Sequence, residues 1–165
     1  MGRPDPADSQ GHERLIGSPV IGPPVLRLSL PLELASVRVL GTALRLFGRQ
    51  HFPHHVEGQE LHDLRLAAQE AAANIIEHDV VRNPENRIQV MMQGAPDGIS
   101  VQIQNAGPPF DPTKPDAAPP DPEELAEGGY GLFLINSLVD EIAYETVDDF
   151  NCLTLTKKWN APGNP

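Results

Sequence analysis

The chain has 165 residues, enough for one domain with a real core plus tails, and it carries 12 Lys and Arg against 23 Asp and Glu, a formal charge of -11. That balance argues against a surface tracking nucleic-acid phosphates, so no direct nucleic-acid partner is expected; acidity serves solubility or a basic protein partner. A lone cysteine, Cys152, excludes an internal disulfide framework and a cysteine metal cluster, and no apolar run approaches the roughly 18 residues that span a bilayer, so a cytoplasmic protein without membrane contact is expected.

Residues 1–24 are rich in Pro, Gly, Asp and Ser and show no period, which reads as a disordered leader. Val25–Leu30 (VLRLSL) alternates apolar and polar and predicts a half-exposed strand ending at Pro31. Over Pro31–Phe47 the apolar positions Leu34, Val37, Leu40, Leu44 and Phe47 predict a helix, with Ser36 and Arg38 on its other side. Gly48–Glu57 carries His51, His54 and His55, for which a solvated loop is favoured over a metal site.

Leu61–His78 (LHDLRLAAQEAAANIIEH) is the stretch around which the chain is organised. Leu61, Leu64, Ala67, Ala68, Ala71, Ala72, Ile75 and Ile76 recur at spacings of three and four, so one face of a helix is apolar and buried. Glu70 and Asn74, four apart, stack on one face, with His78 a further turn along. A carboxylate above a carboxamide can hold a proton acceptor beside a hard metal ion, since Asn offers a neutral oxygen while Glu stays free as a base. Read alone, such a pair is more often a solvated polar pair than a site.

Asn83-Pro84 signals a turn, after which Arg87–Gln93 and Ile99–Gln104 predict two strands joined through Ala95-Pro96-Asp97-Gly98. The second strand runs into Asn105-Ala106-Gly107-Pro108-Pro109-Phe110-Asp111-Pro112, where Gly107 permits close approach of a ligand to the backbone. Residues 112–127 are rich in Pro, Asp and Glu, and a loop of that length within a compact domain is often a lid. Gly128-Gly129-Tyr130-Gly131 closes it and opens a helix over Leu132–Asp140, whose glycine-lined start attracts phosphate through free backbone N–H groups. Glu141–Thr146 and Cys152–Trp159 predict an antiparallel pair across a turn at Asp148–Asn151, and residues 160–165 are expected to fray.

Three blocks in this order, EAAANIIEH (Glu70–His78), NAGPPFDP (Asn105–Pro112) and GGYGLFLINSLVDE (Gly128–Glu141), resemble the asparagine box and the two glycine boxes of the GHKL ATPase superfamily, and within it the anti-sigma-factor serine/threonine kinase family. The resemblance extends over residues 25–159 as a histidine-kinase-like ATPase domain with a lid at 111–130. It implies an α/β (α+β) two-layer sandwich of the Bergerat type, a mixed, mostly antiparallel sheet with helices on one face. ATP and Mg2+ are the implied cofactors. Asn74 would give its side-chain oxygen to Mg2+ and Glu70 would take the proton of the attacking hydroxyl. Asn105 and Gly107 would meet the adenine, and Gly129, Tyr130, Gly131 and Leu132 would offer backbone donors to the phosphates. Thr154 would reach a water near the adenine, although a β-branched residue in a strand needs no such role.

The implied activity is phosphorylation of a STAS-domain anti-sigma factor antagonist in a partner-switching system. A sigma factor or similar regulator is the second partner, and a homodimer is admitted because family members often dimerise. One departure from the family pattern bears on the nucleotide. Asn105 stands where the family usually has an Asp that accepts a hydrogen bond from the adenine amino group. Losing the charge costs roughly 1–2 kcal/mol, about tenfold in affinity, so weaker ATP binding is expected, with a nucleotide-poor docking module as the alternative.

Overall fold

The computed structural model describes residues 22–78, 85–107, 109, 111 and 130–160. Residues 1–21 of the expected leader, the lid over 112–129 with Gly129, the Asn83-Pro84 turn and the tail beyond Asn160 lie outside the described residues; the end of that leader is tied to the sheet, the Pro24 carbonyl accepting the Gly94 N–H at 2.9 Å.

The first strand, β1, covers Val25–Pro31 and leads into helix α1, Leu34–His51. Leu40, Leu44 and Phe47 point inward as their spacing predicts, but two positions differ. Leu34 is exposed, because three-residue steps fall short of a full turn and six residues carry Leu34 well round the helix from Leu40. Ser36 is buried instead of solvent-facing: its hydroxyl donates to the Pro31 carbonyl at 2.7 Å and so satisfies the turn between β1 and α1.

Helix α1 also runs one turn beyond Phe47, so His51 is helical and lies 4.9 Å from the Phe47 ring. The rest of the histidine segment is no simple solvated loop. His55 stacks on Trp159 at 4.3 Å with the planes 13° apart, and Phe52 meets the same indole at 5.2 Å. Trp159 has an apolar body to cover, and this segment covers it. Among the described residues, no three His, Cys, Asp or Glu side chains gather at a metal-binding spacing.

Helix α2 spans Gln59–Glu77, with the predicted apolar face inward: Leu61, Leu64, Ala67, Ala68, Ala71, Ala72 and Ile75 are all buried. The four alanines let this face lie close against its neighbours. Its first turn is tied to the end of the chain, since the Asn160 N–H donates to Glu60 at 3.2 Å. The Glu60 carboxyl is held below its ordinary range, chiefly by its own backbone N–H and then by that of Asn160, against burial acting the other way.

Strands β2 (Arg87–Ala95) and β3 (Gly98–Ala106) form a hairpin in which Ala95 pairs with Gly98 across Pro96-Asp97. Helix α3 covers Tyr130–Leu138, starting two residues earlier than its apolar spacing predicts. It stops because Asp140 turns to the sheet: its N–H donates to the Thr156 carbonyl at 2.9 Å and its carboxylate accepts the Lys158 N–H at 2.7 Å. Strands β4 (Glu141–Val147) and β5 (Phe150–Lys158) then pair across Asp148-Asp149 alone. Both residues have positive φ, 49° and 65°, the paired left-handed geometry of a two-residue hairpin. The turn is therefore shorter than the four residues predicted, and Phe150 and Asn151 join the ladder.

The sheet order is β1-β2-β3-β5-β4, with every pairing antiparallel. Alternation sends Ile88, Val90, Val101, Ile103, Leu153 and Leu155 to the helix side, where they meet α1, α2 and α3 in one core. The result is the two-layer α/β sandwich that the resemblance implies, with a sheet that is antiparallel throughout the described strands rather than mixed. Leu64 has no exposure and sits between the layers. Leu64→Ala is expected to cost about 2–5 kcal/mol and to lower the melting temperature by roughly 5–15 °C, measured by thermal unfolding followed by circular dichroism.

Candidate functional site

The site grows from the rim of α2. Glu70 and Asn74 are half-buried, flanked along the helix by Ala67, Ala71 and Ile75, which anchor the face beneath them. The opening turn of α3 lies directly against this pair. A β-carbon on Gly131 would stand 3.1 Å from Asn74 Nδ2, 3.4 Å from Asn74 Oδ1 and 3.5 Å from Glu70 Oε2. Glycine is what allows the approach, since any side chain would press on the Asn74 carboxamide. The positive end of α3 thus faces a carboxylate and a carboxamide oxygen. Gly131 and Leu132 stand in the first turn of α3, the end of a helix at which backbone N–H groups point outward. Residues 61 and 57 positions apart in sequence, Gly131 against Glu70 and Asn74, thus form one polar patch.

The end of β3 adds a second part. Asn105 follows Ile103 on the helix side of the sheet and is only 8% exposed; its Nδ2 donates to the Ala106 carbonyl at 3.4 Å. Gly107 has φ +151°, a backbone conformation that side-chain-bearing residues rarely adopt. Its carbonyl accepts Asn151 Nδ2 at 3.0 Å, while Asn151 Oδ1 accepts the Tyr144 hydroxyl at 2.8 Å. Asn151 is 4% exposed and pairs with Asn105 in register, so two buried carboxamides face each other across β3 and β5.

Among the predicted residues, Glu70, Asn74 and Gly131 are brought together, Leu132 follows in the same turn, and Asn105 and Gly107 stand side by side at the strand end. The backbone of Tyr130 opens α3, and Gly129 lies outside the described residues. Thr154 is not brought to this group. It pairs with Gln102, whose Nε2 lies 3.5 Å from Thr154 Oγ1, on the sheet face opposite the helices. The parity of β5 decides this, because Leu153 and Leu155 take the inward positions and leave Thr154 outward. The residue of β5 on the site side is Asn151, which the sequence reading assigned to a turn. Its signal was the alternation Asn151, Leu153, Leu155, legible once the hairpin turn is two residues long.

Asn151→Leu removes the partner of both the Tyr144 hydroxyl and the Gly107 carbonyl. A loss of about 1–3 kcal/mol in unfolding free energy by urea titration is expected, with Tyr144→Phe costing less because Asn151 keeps its bond to Gly107.

A separate feature lies on the outer side of the helix layer. Arg38, Arg45 and Arg49 of α1 and Arg65 of α2 line a groove of about 430 Å³ with Gly41 at its floor. Four of the chain's 12 basic residues converge there in a protein of net charge -11. No helix among the described residues is long and apolar enough to cross a membrane.

The comparisons with known proteins agree with the fold. A family model described as the histidine kinase-like ATPase domain matches residues 30–157. The serine-protein kinase RsbW of Oceanobacillus iheyensis is 34% identical over 90 residues, which cover 51% of this chain and 57% of that protein. RsbW of Staphylococcus aureus is 36% identical over 90 residues, covering 50% of this chain and 57% of the relative. The chain thus spans little more than half the length of these relatives. Among solved structures, the RsbU and RsbW domains of Rv1364c from Mycobacterium tuberculosis share the fold with a TM-score of 0.58 at 18% identity, over 84% of this chain and 34% of that one. A family match running from the end of β1 to the end of β5 takes in both parts of the site, and the chain belongs to the histidine kinase-like ATPase domain family.

Proposed function

We propose that this chain is the ATP-binding and catalytic domain of a serine/threonine protein kinase of the anti-sigma-factor type. The observation that carries the reading is the juxtaposition of Glu70, Asn74 and Gly131, a base and an oxygen ligand against an N–H-rich helix start. These residues fit a magnesium nucleotide. Asn74 Oδ1 would hold Mg2+, the N–H groups of Gly131 and Leu132 would take phosphate oxygens, and Gly107 would leave room for the base beside Asn105. Bound Mg-ATP supplies the transferable phosphoryl group. Glu70, half-buried one turn from Asn74, would take the proton of a serine or threonine hydroxyl, with positioning and charge neutralisation supplying most of the rate.

The protein substrate is a STAS-domain antagonist and the sequestered partner a sigma factor or similar regulator, in the cytoplasm, with the kinase acting as a homodimer. Phosphate on the antagonist adds charge at the interface and releases it. Incubating the purified protein with a STAS-domain antagonist and Mg-ATP, followed by intact-mass spectrometry, tests the reading. One phosphate on a Ser or Thr of the antagonist is expected; an unmodified antagonist at a partner concentration that forms the complex overturns it.

A second reading, a docking module that sequesters a protein without turnover, is favoured by the arginine groove between α1 and α2. In a chain of net charge -11 such a groove attracts an acidic segment. Complex formation that is unaffected by nucleotide and lost in Arg45→Glu would favour this reading over the first.

A further inference from the structure

The two carboxamides that face each other at the end of β3 and β5 are held differently. Asn151 is locked at both ends: its oxygen accepts the Tyr144 hydroxyl at 2.8 Å and its nitrogen donates to the Gly107 carbonyl at 3.0 Å. Rotating that amide by half a turn would set a donor against the hydroxyl's hydrogen and an acceptor against a carbonyl. Asn105 has a single long bond, 3.4 Å, from its nitrogen to the carbonyl of the next residue, and its oxygen makes no hydrogen bond among the described residues. A bond of that length and local origin holds the amide weakly. Gly107 leaves the space beside it open, since a β-carbon there would come within 3.3 Å of Asn105 Nδ2.

An aspartate at this position can only accept. It suits the amino group of adenine and opposes the carbonyl oxygen of guanine. The carboxamide of Asn105 offers one acceptor and one donor. In one orientation it accepts from the adenine amino group and donates to the adjacent ring nitrogen. In the other it donates to guanine O6 and accepts from the guanine ring N–H. The two arrangements make the same number of neutral hydrogen bonds and differ by rotation of an amide that only one long bond opposes.

We propose that Asn105 makes the nucleotide site purine-tolerant, so that it takes GTP as well as ATP. Asn151 keeps the neighbouring backbone fixed while Asn105 turns to suit the base. This rests on the reading of the site as a magnesium-nucleotide site and sharpens its substrate class.

The test is calorimetric titration of the whole chain with Mg-ATP and with Mg-GTP, in the parent and in Asn105→Asp. In the parent the two dissociation constants are expected within about tenfold of each other. In Asn105→Asp, ATP should bind about tenfold tighter, since a charged acceptor replaces a neutral one, and GTP at least about a hundredfold weaker than ATP, because a carboxylate opposes O6. A parent that binds ATP but binds GTP more than a hundredfold more weakly overturns purine tolerance and leaves the nucleotide site standing. Binding of neither nucleotide at millimolar concentration overturns both. Should Asn105→Asp fail to fold, Asn105→Ser, which keeps a hydroxyl able to donate or accept, is expected to retain the parent's tolerance at lower affinity for both nucleotides. A strong ATP preference in that variant counts against the proposal.

Discussion

Asn74→Ala is expected to lower the affinity for Mg-ATP by at least about a hundredfold, close to 3 kcal/mol, by isothermal calorimetry. The size follows from what the side chain would do and from what surrounds it. Its oxygen would be the neutral ligand, and a β-carbon on Gly131 would stand 3.4 Å from it and 3.1 Å from its Nδ2, so glycine keeps the carboxamide clear of a neighbouring side chain. Truncation removes the ligand without opening a core cavity, since Asn74 is half-buried at the rim. The melting temperature of the nucleotide-free protein should therefore move by only about 2 °C. Asn74→Asp retains an oxygen donor and should keep much of the Mg2+-dependent affinity. An alanine variant that binds Mg-ATP like the parent would remove Asn74 from the site.

Glu70→Gln should separate binding from chemistry. The substitution keeps shape and hydrogen-bonding capacity but removes the proton acceptor, so single-turnover phosphotransfer is expected to fall about 10²–10⁴-fold. Affinity for Mg-ATP should stay within about threefold of the parent, because the ligand oxygen of Asn74 and the N–H groups of α3 remain. If affinity and transfer fall together, Glu70 organises the site rather than acting in the chemical step. If neither changes, it has no part in either.

The arrangement of this site has a simple mechanical origin. Helix α2 is rigid because Leu61, Leu64 and four alanines fasten one face to the core, so Glu70 and Asn74 cannot drift along the rim. Helix α3 is fastened in turn by Ile135, which has no exposure, and by Asp140, whose carboxylate and N–H both bond to β5. The backbone beside Asn105 is held from β5 by Asn151, itself buttressed by Tyr144 of β4. Each functional group therefore stands on an element whose own packing is finished, the condition for a site with little reorganisation.

Local periodicity carried much of this information. The apolar stripe of α2 was legible because alanines and leucines at three- and four-residue steps bury on one side only, and that stripe fixed where Glu70 and Asn74 would lie relative to each other. The hairpin at Pro96-Asp97 was legible because proline and a following glycine punctuate two alternating runs. Element ends were less so. Helix α1 continues to His51 since nothing in Gly48–Gln50 breaks it while Gly48 packs on Leu61, a contact no local pattern announces.

What the sequence by itself determined, then, is the set of elements, the one-sided burial of α2, and the pairing of Glu70 with Asn74 along one helix; the two-layer sandwich came from the resemblance to a family. Only the tertiary structure decided which distant groups meet that pair. It set Gly131 against Asn74, turned Thr154 away from the site, and brought Asn151 opposite Asn105. The physical reason is that helix periodicity is a property of neighbours in the chain, whereas strand register depends on where a turn closes. Two aspartates at positive φ shorten that turn to two residues and thereby set which side chains of β5 look toward the helices.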